Sequence, residues 1–270
     1  EGIRTDILLD GMRVHNVTTL LTTPTFHNPT GVTLSAPRRA TLAEFARDRG
    51  LIIIEDDIHR ETYSGDKPPP PIVGGDSSGN VFYCSSFEEI FSPSLKVGWI
   101  IARNKGKELR SEVQRFDFSV SGLSLAVLNR LVPSGGFVRH RHGVASSAAL
   151  RRRKARERVL ASFPAGTKVS APGGGFSLWV ELPENLRSSR LCAGARAAGI
   201  AVAPGSLFST TGTHNRHLRI NPRTGSDEEL EAIGRLGAPS DIGAAVAWIS
   251  SEEASYVTGH TLVVDGGWLT

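Results

Sequence analysis

Cysteine is scarce: Cys84 and Cys192 are the only two in 270 residues. That excludes a disulfide framework and reads as free thiols in a reducing compartment, the cytoplasm. Long apolar runs are missing as well. The run at 51–54 is four residues, against the roughly 20 a bilayer requires, so no membrane span is expected. Glu1, Arg4, Asp6 and Asp10 place charges where a secretory leader would be apolar, and Glu1 in place of Met reads as the start of a fragment. The 29 glycines show no period of three, which excludes collagen. Eight histidines show no metal spacing, because His140 and His142 merely alternate with no Cys or acid pair nearby. No internal repeat is present. Lysine supplies only six of the 31 basic residues, a shortage that matters below.

What remains is an ordinary globular composition, 39% hydrophobic and 21% charged, with a mild net charge of +4. Residues 17–23 read as a strand, followed by a turn at His27-Asn28-Pro29-Thr30-Gly31, where Pro restricts its predecessor and Gly tolerates positive φ. Ser35 and Pro37 begin a helix that Gly50 stops, with Leu42, Phe45 and Ala46 on one face. Continuous apolar strands are expected at 51–55, 81–86 and 97–102, a pattern that predicts an α/β sheet covered on both faces. The prolines at 68–71 belong to an extended loop. Beyond residue 105 the chain turns helical. The stretch 139–158 carries eight Arg and Lys against one Glu and reads as a solvated helix face, with Ala145, Ala148, Ala149, Ala155 and Val159 as filler. Strands at 176–181 and 217–220, with helices at 185–198 and 226–235, form a smaller α+β lobe.

Three polar positions fall at strand ends, where open α/β sheets bind ligands: Asn28, then Asp56 and Asp57, then Ser86. An amide, an acid and a hydroxyl converging there suit a small aromatic anionic cofactor. Taken singly, each is as readily a turn, a helix cap or a strand end.

Their order and spacing resemble fold type I pyridoxal-phosphate enzymes, most closely the aminotransferase-like domain of MocR-type regulators of the GntR family. The matching text is Thr23-Pro24-Thr25-Phe26-His27-Asn28-Pro29-Thr30-Gly31-Val32, then 52–57, then Ser85-Ser86-Phe87 through Lys96-Val97-Gly98-Trp99. It continues at Pro172-Gly173-Gly174-Gly175-Phe176, at Val202-Ala203-Pro204-Gly205-Ser206, and at Leu218-Arg219-Ile220-Asn221. The resemblance covers about 1–233. It implies a partial large domain at 1–105 with a truncated, mostly parallel sheet, a small domain at 106–233, and a cofactor of pyridoxal 5'-phosphate or pyridoxamine phosphate. Asn28 would bind the phenolic oxygen, Asp56 the pyridine nitrogen, Ser86 and Lys96 the phosphate, and Arg219 a substrate carboxylate. Amino-acid or amine substrates and a homodimer follow from the same likeness.

Two departures stand out. The Schiff-base lysine of the family belongs at residue 89, and Glu89 occupies it; the flanking residues are Glu88 and Ile90. A carboxylate can neither form the imine nor move the substrate α-proton as the lysine does, so transamination is not expected. The family's Tyr two residues beyond the nitrogen-binding Asp is Ile58 here. The family also places a first half-domain, with a glycine-rich phosphate cup and a ring-stacking aromatic, before the position numbered 1, and the DNA-binding winged helix of the regulators lies farther upstream. An open sheet edge with exposed apolar surface is therefore expected.

Residues 234–270, from Gly234-Arg235-Leu236-Gly237 to Val264-Asp265-Gly266-Gly267-Trp268, resemble the C-terminal end of short-chain dehydrogenases/reductases. This tail would add a short α/β piece, joined at 233/234 as a fusion. No Gly-rich dinucleotide turn accompanies it, and Tyr63 with Lys67 sits in a Gly- and Pro-containing loop rather than on one helix face. The competing readings are thus an oxidoreductase fragment or a non-functional fusion product.

Overall fold

The computed structural model describes residues 2–92, 95–116, 120–197 and 200–222. The tail expected at 234–270 and the helix expected at 226–235 lie outside these residues. The chain forms two compact units. One comprises Glu1–Asn28, Val32–Ala149 and Pro172–Gly175; the other comprises Pro29–Gly31, Leu150–Ala171 and the chain from Phe176 onward.

The first unit opens with helix α1 (Thr5–Val14), followed by strand β1 (Thr19–Thr22) and helix α2 (Ala36–Arg49). Ser35 precedes α2 in extended conformation, with Pro37 in the first turn, although the Ser35 side chain makes no capping hydrogen bond. Gly50 ends the helix at φ 68°, the left-handed conformation that favours glycine. Strands β2 (Ile52–Asp56), β3 (Val81–Ser86) and β4 (Gly98–Ala102) complete a sheet in the order β1-β2-β3-β4. The first three strands are parallel, and β4 runs antiparallel to β3. Leu42, Ala43 and Ala46 of α2 pack on Leu51, Ile53, Ile72 and Val81, with Leu8 and Met12 of α1 against the same cluster. Each such fully buried Leu or Ile stabilises the fold by about 1.5–3 kcal/mol.

One face of this sheet is covered more fully by described residues than the other, short of the two-sided cover expected from the continuous apolar runs. Burial alternates strictly along β2 and β3. The register puts Leu21, Ile54, Phe82 and Ala102 in one row, and Asp56, Cys84 and Ile100 in another, on the less buried face. Leu21 is 69% exposed and Ile100 48%. Among the described residues β1 is an edge strand, so the expected open edge and its apolar surface are both present.

Helices α3 (Gly106–Arg115), α4 (Gly122–Leu131) and α5 (Gly136–Ser162) follow, and the division between the units falls inside α5. Ala145, Ala148, Ala155 and Val159 are buried as the filler pattern implies. Two arginines of the basic run are buried as well, which the solvated-face reading missed. Arg141 lies over the Tyr63 ring, 4.3 Å from its centroid, and Arg152 is almost fully enclosed.

The second unit carries a sheet of β5 (Lys168–Val169), β6 (Leu178–Glu181), β7 (Ala203–Pro204) and β8 (His217–Ile220), in the order β5-β6-β8-β7, with helix α6 (Ser188–Ala197). All its pairings are antiparallel. Val159, Phe163, Leu178, Val180, Leu182, Ile200, Leu218 and Ile220 make its core. Among the described residues no helix is long and apolar enough to cross a membrane.

Candidate functional site

The parity of β2 sorts three consecutive acids. Glu55 and Asp57 point to the α2 side, where both are fully buried, and Asp56 points to the open side. The two buried acids are matched by two arginines. Arg39 of α2 donates to the carbonyls of Leu34 (2.9 Å) and Pro24 (2.8 Å) and to the Thr25 hydroxyl (3.0 Å). Its remaining nitrogen lies 3.5 Å from Glu55. Arg60 donates to Asp57 at 3.1 Å and to the carbonyls of Pro68 and Pro69, which explains what the proline loop is for. Glu55 also accepts the backbone N–H groups of Ile72 (2.9 Å) and Val73 (3.1 Å). Burial nevertheless pushes its carboxyl up to about 7. This network clamps the end of β2 from below. The Ile-Glu-Asp-Asp text held the signal for it, since side chains in a strand alternate, but nothing local named the arginines.

On the open side, Asp56 is half-buried and accepts the Ile58 N–H at 3.4 Å. Burial raises its pKa; the Ile58 N–H and His59 oppose that shift, and the charges of Asp57 and Glu89 add to it. His59 also depresses the neighbouring His27, whose pKa is lowered mainly by burial. Sequence reasoning did not single out His59, whose charge acts on both Asp56 and His27. Ser86 ends β3 on the same face as Asp56. Its hydroxyl accepts the Glu88 N–H at 3.4 Å, and a hydrogen-bonded turn at 87–91 follows it.

Glu89 is carried by that turn and is half-buried. Asn28 follows β1 and is exposed, and Lys96 is exposed at φ 44° on the connection into β4. The structure thus places Asn28, Asp56, Ser86, Glu89 and Lys96 all in the first unit, with Asp56 and Ser86 ending β2 and β3 and the other three on the connections that follow β1 and β3. Arg219 lies in the second unit, on β8 opposite Trp179 and Ala203, with its guanidinium 5.5 Å from the Phe208 ring centroid. Burial lowers its pKa.

The approach to Asn28 is shaped by glycine. Phe26 is buried at φ 51°, and the Pro172–Gly175 segment lies against its ring. A Cβ on Gly174 would come within 2.2 Å of that ring. The Gly175 N–H donates to the Thr62 hydroxyl at 2.7 Å, and the Ser64 N–H to the Gly173 carbonyl at 3.1 Å. Among the described residues no group of three or more His, Cys, Asp or Glu could hold a metal ion.

Residues 5–235 match the family model "Aminotransferase class I and II". The chain is 31% identical over 220 residues to the uncharacterized HTH-type transcriptional regulator YdfD of Bacillus subtilis, a match covering 81% of this chain and 45% of the regulator. It is 29% identical to aromatic-amino-acid aminotransferase 1 of Thermococcus litoralis, over 87% of this chain and 58% of that enzyme. The chain therefore spans about half the length of these curated relatives. Among solved structures, the kynurenine aminotransferase of Pyrococcus horikoshii, in complex with PMP (pyridoxamine phosphate), superposes with a TM-score of 0.79 at 27% identity. That match covers 91% of this chain and 62% of the enzyme. The type I fold expected from the motifs is thereby borne out, and this chain belongs to the class I and II aminotransferase family.

Proposed function

We propose that this chain binds a pyridoxal-type phosphate ester, together with an amino-acid or amine ligand, and does not carry out transamination. The observation that carries the reading is Glu89: the turn beyond β3 presents a carboxylate where the family motif presents its lysine. The remaining donor set fits the group. Asp56 would pair with the pyridine nitrogen, and a protonated ring there would favour its ionised form against the burial that now raises its pKa. Ser86 and Lys96 would hold the phosphate and Asn28 the phenolic oxygen. When bound, the cofactor supplies an electron sink. The residue that would anchor it covalently and move the proton is absent, so binding without turnover is the activity left. Relatives that are transcriptional regulators support a sensing module rather than an enzyme.

The test is an absorbance titration of the purified chain with pyridoxal 5'-phosphate, beside Glu89→Lys. The expected result is a reversible spectral change in the natural chain, and in the variant a borohydride-stable adduct mapped by peptide mass to residue 89. If neither protein perturbs the cofactor spectrum, the proposal fails.

A further inference from the structure

We infer that Glu89 makes this site a reader of the amine form of the cofactor, pairing its carboxylate with the ammonium of pyridoxamine 5'-phosphate and disfavouring the aldehyde. The inference rests on the binding function proposed above and deepens it. Three observations carry it.

First, the turn that bears Glu89 is held from several directions. The Phe87 N–H donates to the Val97 carbonyl and the Phe91 N–H to the Phe87 carbonyl, both at 2.9 Å. A ring nitrogen of His140 lies 2.8 Å from the Ile90 carbonyl oxygen, while the His140 ring stacks on Phe91 with centroids 4.8 Å apart. Phe87 packs against Trp99 at 4.8 Å and Phe137 at 5.9 Å. The backbone that carries Glu89 is thus ordered before any ligand arrives, so only the side chain itself has to be ordered on binding.

Second, Glu89 stands three residues beyond Ser86, which ends β3 on the same open face as Asp56, and its negative charge adds to the upward shift of Asp56. Two carboxylates sharing a half-buried site repel, and a cation between them relieves that repulsion.

Third, the chemistry discriminates. A primary ammonium offers three donors and a full charge to a carboxylate, giving short charge-assisted hydrogen bonds. An aldehyde oxygen offers only lone pairs, which a carboxylate repels. The position thus rejects one form as well as attracting the other. Lysine at the same position would do the opposite, combining with the aldehyde and repelling the ammonium.

Calorimetric titration of the full chain with pyridoxamine 5'-phosphate and with 4-deoxypyridoxine 5'-phosphate, which carries a methyl in place of the aminomethyl group, tests this directly. The natural chain should bind the amine about 10-fold more tightly or better. Glu89→Gln, nearly the same shape, should bring the ratio close to one while leaving affinity for the deoxy compound unchanged. Equal affinities in the natural chain, or a preference that survives Glu89→Gln, overturn the inference. If Glu89→Lys traps pyridoxal phosphate while the natural chain shows no amine preference, the binding function stands and the amine reading falls. If no variant binds any of these compounds, both fall.

Discussion

Arg39 and Glu55, 16 positions apart in the chain, face each other across 3.5 Å beneath the sheet, 4% and 0% exposed. The pair and its neighbours Asp57 and Arg60 hold the strand end whose other face carries Asp56. Arg39→Met keeps much of the side-chain volume but removes three donor contacts and leaves Glu55 without its cation. Unpairing a buried charge costs about 3–5 kcal/mol. Urea denaturation should show a loss of that size, with a smaller loss when Glu55→Gln is added, because the uncompensated charge is then gone.

Glu55 also sets a pH dependence. Its folded pKa of about 7 lies above the ordinary 4.5, chiefly through burial. Between those values the folded chain holds a proton that the unfolded chain has released. The contribution of Glu55 is therefore fully present below pH 4.5, declines as pH rises, and is lost above 7. The decline amounts to about 3 kcal/mol at 1.36 kcal/mol per unit. Thermal melts from pH 4.5 to 8 should show it, and Glu55→Gln should flatten the slope. The variant should itself melt lower at acid pH, since its amide sets a donor against the N–H of Ile72 or Val73.

Gly174→Ala should destabilise the first unit by about 1–3 kcal/mol, the usual cost of overpacking, because the new methyl would overlap the Phe26 ring. Adding Phe26→Leu should recover part of that loss. Additive losses in the double variant would mean that the ring is not what the glycine accommodates.

Both thiols should be sluggish in the folded chain. Burial pushes Cys192 up to about 11, and burial together with the charges of Asp56 and Glu55 raises Cys84. Since the thiolate is the reacting species, labelling of Cys192 by a disulfide reagent at pH 8 should be about 100-fold slower than in urea. Comparable rates in the two conditions would contradict its burial.

Much of the fold was legible in the text of the chain. Helix α2 runs between the Ser-Ala-Pro start and the glycine stop that mark it, and β3 spans the expected 81–86. Propensity and punctuation are local, so they survive reading one residue at a time. The short strands β5 and β7, of two residues each, carry no such signal, because only their pairing with β6 and β8 defines them. His140 read as no more than an alternation with His142, yet it serves the turn at 87–91 from a helix 50 residues away. The continuous apolar runs suggested cover on both faces, but Leu21 and Ile100 are exposed, since hydrophobicity records what a residue favours and not what stands over it.

The sequence by itself determined that no amine stands at residue 89, because covalent identity is independent of folding, and that Asn28, Asp56 and Ser86 follow or end successive strands. Tertiary structure alone decided which of three adjacent acids faces the site and which two are buried against arginines. Alternation along a strand defines two sides, but only the helix packed on one of them makes that side the interior.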